Sequence, residues 1–139
     1  MGVPVEKNLF VSGVFLASAV MILTQPSSAL GQGSLFQAAQ IFITGNAPNS
    51  FMCGDFDGDG NIDLAVANYG GMEISILLGN GGGTFAAAVD YSAGTGPRSI
   101  TGGDFDGDGD IDLAVANLES DNVSILLGNG DGTFAAAVN

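Results

Sequence analysis

The chain has 139 residues with 15 acidic and two basic side chains, no His, no Trp and one Cys, for a formal net charge of -13. One domain is the ceiling at that length, and with hydrophobic residues at 46% and charged ones at 12% a packed core is expected rather than a disordered acidic tail. With Lys7 and Arg98 as the only cations, nothing can neutralise a row of phosphates, which excludes nucleic-acid binding; without His or a second Cys, the commonest general base, the zinc ligand sets and an internal disulfide are missing too.

Residues 1–29 read as a secretory signal peptide. Met1 to Lys7 is a short polar start, Leu9 to Thr24 a nearly unbroken apolar run, and Gln25 to Ala29 a helix breaker with small residues suited to cleavage after Ala29. As a helix the apolar run rises only about 24 Å, short of the ~30 Å hydrocarbon core. Cleavage is therefore expected rather than a retained anchor. The mature chain is expected to be secreted, at the cell surface or in the periplasm, with no stable membrane insertion.

The remainder is one unit written twice. Asp55 recurs as Asp104, Pro48 as Pro97, Phe36 as Phe85 and then Phe134, and residues 36–84 share 29 identities over 49 positions with residues 85–133. Within a period the apolar segments are short and β-type. In the first copy they fall near Ser50 to Cys53, Asp63 to Asn68, Ile74 to Leu78 and Thr84 to Tyr91; in the second, near Ser99 to Thr101, Asp112 to Asn117, Val123 to Leu127 and Thr133 to Val138. Asn80-Gly81 and Asn129-Gly130 are hairpin turn signals, so the third and fourth strands should pair antiparallel. Leu35 to Ile43 resembles the last strand of a preceding unit. Four strands in 40 to 50 residues is the grammar of a β-propeller blade. The expected fold is all-β, with about two four-stranded antiparallel blades plus an extra strand: 30–49 as the last strand of a preceding blade with a linker, 50–98 as the first repeat and 99–139 as the second.

Nine of the fifteen acidic residues lie in two windows, Asp55-Phe56-Asp57-Gly58-Asp59-Gly60-Asn61-Ile62-Asp63 and Asp104-Phe105-Asp106-Gly107-Asp108-Gly109-Asp110-Ile111-Asp112. Carboxylates at positions 1, 3, 5 and 9, with a backbone carbonyl at 7 and a turn-making Gly at 6, can wrap one hard cation. The all-oxygen set favours calcium over zinc or copper, and the flexible shell favours it over magnesium. Without a cation the clustered charges repel and raise their own pKa values, so binding and folding should be coupled. An EF-hand is excluded because position 12 is Val66 or Val115 instead of Glu, in β-type segments.

Gly-Asp-Phe-Asp-Gly-Asp-Gly-x-Ile-Asp-Leu-Ala-Val-Ala-Asn, followed by Ser-Ile-Leu-Leu-Gly-Asn-Gly-x-Gly-Thr-Phe, runs through 54–85 and 103–134, preceded by Gly45-Asn46-Ala47-Pro48 and Gly94-Thr95-Gly96-Pro97. On these motifs the chain from about 33 to 139 resembles the FG-GAP or VCBS repeats of integrin α-subunit propellers and many exported bacterial proteins. The resemblance implies blades that carry structural calcium between their first and second strands, about two ions per chain. The ligands it implies are Asp55, Asp57, Asp59, Asn61 and Asp63 in one loop and Asp104, Asp106, Asp108, Asp110 and Asp112 in the other. Propellers close with four to eight blades, so two blades make a partial propeller: a fragment of a longer one, an open pair, or a unit completed by self-association.

The expected function is non-catalytic contact with an unidentified protein or glycan. A lectin-like propeller competes, although Tyr69 and Tyr91 are the only tyrosines available to stack on a sugar. A hydrolase or lyase, or a piece of an enzyme-associated propeller, is disfavoured because each clustered Asp has a counterpart one period away, whereas a catalytic pair should break the repeat. Glu73, Asp90, Glu119, Asp121 and Asp131 read as solvated charge near strand ends. Phe56, Phe85, Phe105 and Phe134 read as core plugs between blades, Cys53, opposite Gly102 in the repeat, as a buried inert thiol, and Arg98 as a partner for a carboxylate.

Overall fold

A computed structural model of the protein describes residues 38–139; the expected signal peptide and the start of the first expected strand, residues 35–37, lie outside them. Among the described residues there is no helix, and so none long and apolar enough to cross a membrane. The strands run β1 Pro48–Gly54, β2 Asp63–Asn68, β3 Glu73–Leu77, β4 Gly79–Gly81, β5 Thr84–Phe85, β6 Val89–Ser92, β7 Pro97–Gly103, β8 Asp112–Asn117 and β9 Asn122–Leu126.

The 49-residue period reappears as two copies of one antiparallel sheet. The first has the order β1-β2-β3-β6 and the second β7-β8-β9. Registers match position for position: Phe51 faces Val66 where Ile100 faces Val115, and Leu64 faces Leu77 where Leu113 faces Leu126. In the second copy the fourth strand is represented by the single bridge Ile125–Val138.

The expected strand Thr84 to Tyr91 is two pieces. β5 closes a small ribbon with β4, and β6 then pairs with β3. The run of glycines after Asn80 turns the chain so soon that the residues next to it pair with each other before the sheet resumes. In the second copy the ribbon shrinks to the bridge Gly128–Phe134, so Thr133 to Val138 forms no continuous strand. Ala38 to Ile43 carries no strand either. Its Phe42 instead packs edge-on against Phe85, ring centroids 5.0 Å apart.

Alternation along each strand gives each sheet two apolar faces. On the first sheet Ala65, Ala67, Ile74 and Ile76 share a face; on the second, Ile100, Leu113, Val115 and Leu126 share the opposite one. These two faces form one buried cluster with Phe56 and Phe134. The sheets thus stack as successive blades do, an arrangement consistent with a partial β-propeller. Each large aliphatic side chain so buried contributes about 1.5–3 kcal/mol of transfer free energy.

The expectations for three residues, Phe105, Phe85 and Cys53, are corrected. Phe105 is 50% exposed although its counterpart Phe56 is buried, and Phe85 is only half-buried. Nothing from a following copy covers Phe105, whereas Phe134 covers Phe56 at 5.7 Å. Cys53 is exposed: the second sheet packs on the Met52 side of the first, and Cys53, next along the strand, points to the other side. Arg98 sits over the ring of Tyr69, 5.9 Å from its centroid.

Candidate metal centre

Each aspartate window forms the link between the first two strands of its sheet, 55–62 between β1 and β2 and 104–111 between β7 and β8. The chain reverses through Gly58 and Gly60, then Gly107 and Gly109, all at positive φ, where an L side chain is strained. Short aspartates hold the turn by accepting amide hydrogen bonds from residues just ahead. Asp57 accepts from Asp59 N–H (3.1 Å), Asp59 from Asn61 N–H (2.7 Å), and Asp55 from Gly60 N–H (3.0 Å). The second loop repeats this: Asp106 accepts from Asp108 N–H (3.2 Å), Asp108 from Asp110 N–H (2.9 Å) and Asp104 from Gly109 N–H (3.2 Å).

These turns converge the carboxylates at positions 1, 3 and 5. Asp55, Asp57 and Asp59 each offer an oxygen within 4.8 Å of the others, as do Asp104, Asp106 and Asp108. Asp55 Oδ1 is buried with no hydrogen-bond partner. An anionic oxygen left in that condition costs several kcal/mol unless something positive meets it, and an all-oxygen cluster of this kind fits a hard divalent cation.

The electrostatics point the same way. In the first loop the Asp59 amide is the largest single influence on Asp57 and lowers its pKa, but lost solvent and the charges of Asp59, Asp63 and Asp55 outweigh it, and the group is held above the ordinary carboxylate range. Lost solvent leads at Asp106, with the charges of Asp108, Asp112 and Asp104, against the lowering pull of the Asp108 amide; it too is raised. Asp59 is lowered, first by the Asn61 backbone N–H and then by the Asn61 side-chain amide.

The remaining sequence-derived site residues stand elsewhere. Asp63 and Asp112 are fully buried at the base of the loops. Asp63 accepts from Phe56 N–H and Gly79 N–H, both at 2.7 Å; Asp112 accepts from Phe105 N–H (2.7 Å) and Gly128 N–H (2.8 Å). Each oxygen keeps a second lone pair. The two residues therefore clamp the loop's start to the far end of the third strand. Asn61 turns its side-chain amide to Asp59 Oδ2 (2.8 Å), and the Asp110 carboxylate lies beside Gly130, where a Cβ would meet Asp110 Oδ1 at 2.6 Å.

A second polar constellation was not anticipated. Ser75 accepts from Gly45 N–H (3.1 Å) and Asn68 Nδ2 (2.9 Å) and donates to Asp90 Oδ1 (2.6 Å). Ser124 likewise accepts from Gly94 N–H (3.1 Å) and Asn117 Nδ2 (2.7 Å) and donates to Asn139 Oδ1. Asp90 is thus a tether between strands as well as a solvated charge. The glycines are required by space: a Cβ on Gly45 would lie 2.4 Å from Asn68 Nδ2, and one on Gly94 2.5 Å from Asn117 Nδ2. The available signal was a Ser and an Asn recurring at fixed phase inside otherwise apolar strands.

Comparison with protein families matches residues 55–115 and again 104–139 to the FG-GAP-like repeat. No curated protein and no solved structure matches the chain.

Proposed function

The chain belongs to the FG-GAP-like repeat family, and from that premise we propose that it is an exported, non-catalytic propeller repeat module, stabilised by calcium in its two aspartate loops, whose surface contacts protein or glycan. The observation that carries the calcium assignment is the convergence of three carboxylates in each loop, joined in the first loop by the buried, unpartnered Oδ1 of Asp55. Asp55, Asp57 and Asp59, and Asp104, Asp106 and Asp108, would hold the ions. Asp63 and Asp112 would set the loop beneath them, with spare lone pairs directed by the same clamp, and Asn61 and Asp110 would serve through their backbone carbonyls. A cation there offsets the mutual repulsion of the carboxylates, so calcium acts on stability and protease resistance in the extracellular millimolar range.

A non-catalytic role is supported by the duplication one period away of every clustered acid but Asp110, whose counterpart is Asn61. Protein contact is favoured over glycan contact because both tyrosines are engaged, Tyr69 under Arg98 and Tyr91 edge-on to Phe134 at 5.7 Å. The test is thermal unfolding and protease resistance with and without millimolar calcium, in the parent and in an Asp57→Ala plus Asp106→Ala variant. Stabilisation of the parent that is lost in the variant supports the assignment, and an equal response in both contradicts it.

A further inference from the structure

Phe56 stands between the first two carboxylates of its loop, so the peptide units on either side of it decide where Asp55 and Asp57 begin. Each unit is planar, and its carbonyl and amide turn together. The unit joining Asp55 to Phe56 is pinned from inside the loop, because its N–H donates to Asp63 Oδ2 at 2.7 Å. The unit joining Phe56 to Asp57 is pinned from the second repeat: its carbonyl accepts from Gly132 N–H at 2.9 Å.

Gly132 reaches that position in a turn stiffened by its own side chains. Asn129 N–H donates to Thr133 O at 3.0 Å and the Asn129 side-chain amide to Thr133 Oγ1 at 2.9 Å, while Asp131 Oδ1 accepts from the Thr133 N–H (3.0 Å) and hydroxyl (2.5 Å). In the first repeat Gly82 stands where Asp131 does, and the Thr84 hydroxyl donates to Gly81 O instead, at 3.0 Å. Gly132 has φ 80°, and a Cβ on it would lie 3.3 Å from Asp57 Cβ. Its counterpart Gly83 has nearly the same φ, 79°, but a Cβ there would meet nothing within 4 Å. The two glycines share a conformation and differ in what they touch.

We propose that Gly132 is a positioning residue for the first aspartate loop: the turn of the second repeat holds the Asp57 peptide in place and so sets how tightly that loop takes calcium. This rests on the calcium reading given above. The loop's own aspartate turns form within one period; Gly132 adds a restraint on one carboxylate rather than a new shape. Carboxylates share an ion well only when each is held close to its bonding position, and the groups that orient ligands typically govern metal affinity by about 10–100-fold. The second repeat thus tunes the first loop without giving it a ligand side chain.

The test compares the full chain with Gly132→Ala and Gly83→Ala. Both variants carry the same left-handed strain, and only the first also crowds Asp57. Calcium is titrated calorimetrically into each, and exchange of the Phe56 and Gly60 amides is followed by NMR without calcium, with the Phe105 and Gly109 amides as internal reference. Gly132→Ala should weaken one of two sites by about tenfold and speed exchange of the Phe56 and Gly60 amides alone. Gly83→Ala should match the parent in both measurements. With two sites present in the parent, unchanged affinity or unchanged exchange in Gly132→Ala, equal weakening of both sites, or equal effects of the two variants overturn the proposal alone. No binding in the parent overturns the calcium reading and this proposal with it.

Discussion

The two aspartate loops differ in one residue of nine, Asn61 against Asp110, yet they live in different surroundings. In the first loop Phe56 is 4% exposed, its carbonyl accepts from Gly132 N–H at 2.9 Å, and Phe134 lies against its ring. In the second, Phe105 stands half in solvent. Asp55 is half-buried with an unpartnered Oδ1, whereas Asp104 is exposed and both its oxygens accept amide hydrogen bonds, from Gly107 at 2.7 Å and Gly109 at 3.2 Å. The turns and the buried clamp are nevertheless the same. Conformation is therefore encoded within one period, while burial is supplied by the neighbouring copy.

That division can be broken at each level. The largest effect is expected from removing the clamp: Asp63→Ala and Asp112→Ala each leave two amides without their acceptor, all of them buried except the part-buried Phe105 N–H, and should each cost about 3 kcal/mol, measured by urea unfolding. If clamping is local the two losses are equal; a clear inequality would show that the neighbouring copy shapes the loop as well. Next comes the ring that the neighbour covers. Phe56→Ala should cost about 3 kcal/mol, in the range for a buried aromatic, and Phe105→Ala less than about 1 kcal/mol. Equal costs would erase the contrast drawn between the loops.

The smallest effect is on pH dependence without calcium. Asp57 and Asp106 are held above their ordinary value in the folded chain, so in that window the folded state binds more protons than the unfolded one. Their contribution to stability rises as pH falls toward the folded pKa and is lost as pH rises through it. Asp59 and Asp131 are shifted down and act in the opposite direction, their contribution being lost as pH falls through the folded pKa. The comparison that isolates the raised pair is the parent against Asp57→Asn plus Asp106→Asn. The parent should gain more stability, or lose less, between neutral and mildly acidic pH, and parallel curves would contradict the cause assigned to the shifts.

Much of this was legible in the sequence because the period repeats it. The identity of Leu64 to Asn68 with Leu113 to Asn117 located β2 and β8, and the alternating aspartates located the loops between first and second strands. What was not legible depends on which copy lies beside which. Phe56 and Phe105 are the same residue in the same motif, and only the contact with Phe134 separates buried from exposed. Cys53 and Gly102 share a position, but one faces outward and the other faces Met52. The Asn68–Ser75–Asp90 tether escaped notice because an acid at a strand end carries no mark that a serine fifteen residues earlier will reach it.

The most direct test of the calcium assignment is a calorimetric titration of calcium into the full chain, with excess magnesium as background. About two sites per chain are predicted, with an affinity of ~10⁻⁴ to 10⁻³ M, and both sites should vanish in the Asp57→Ala plus Asp106→Ala variant. Absence of binding heat together with an unchanged unfolding temperature, or binding that the variant leaves intact, would contradict the assignment.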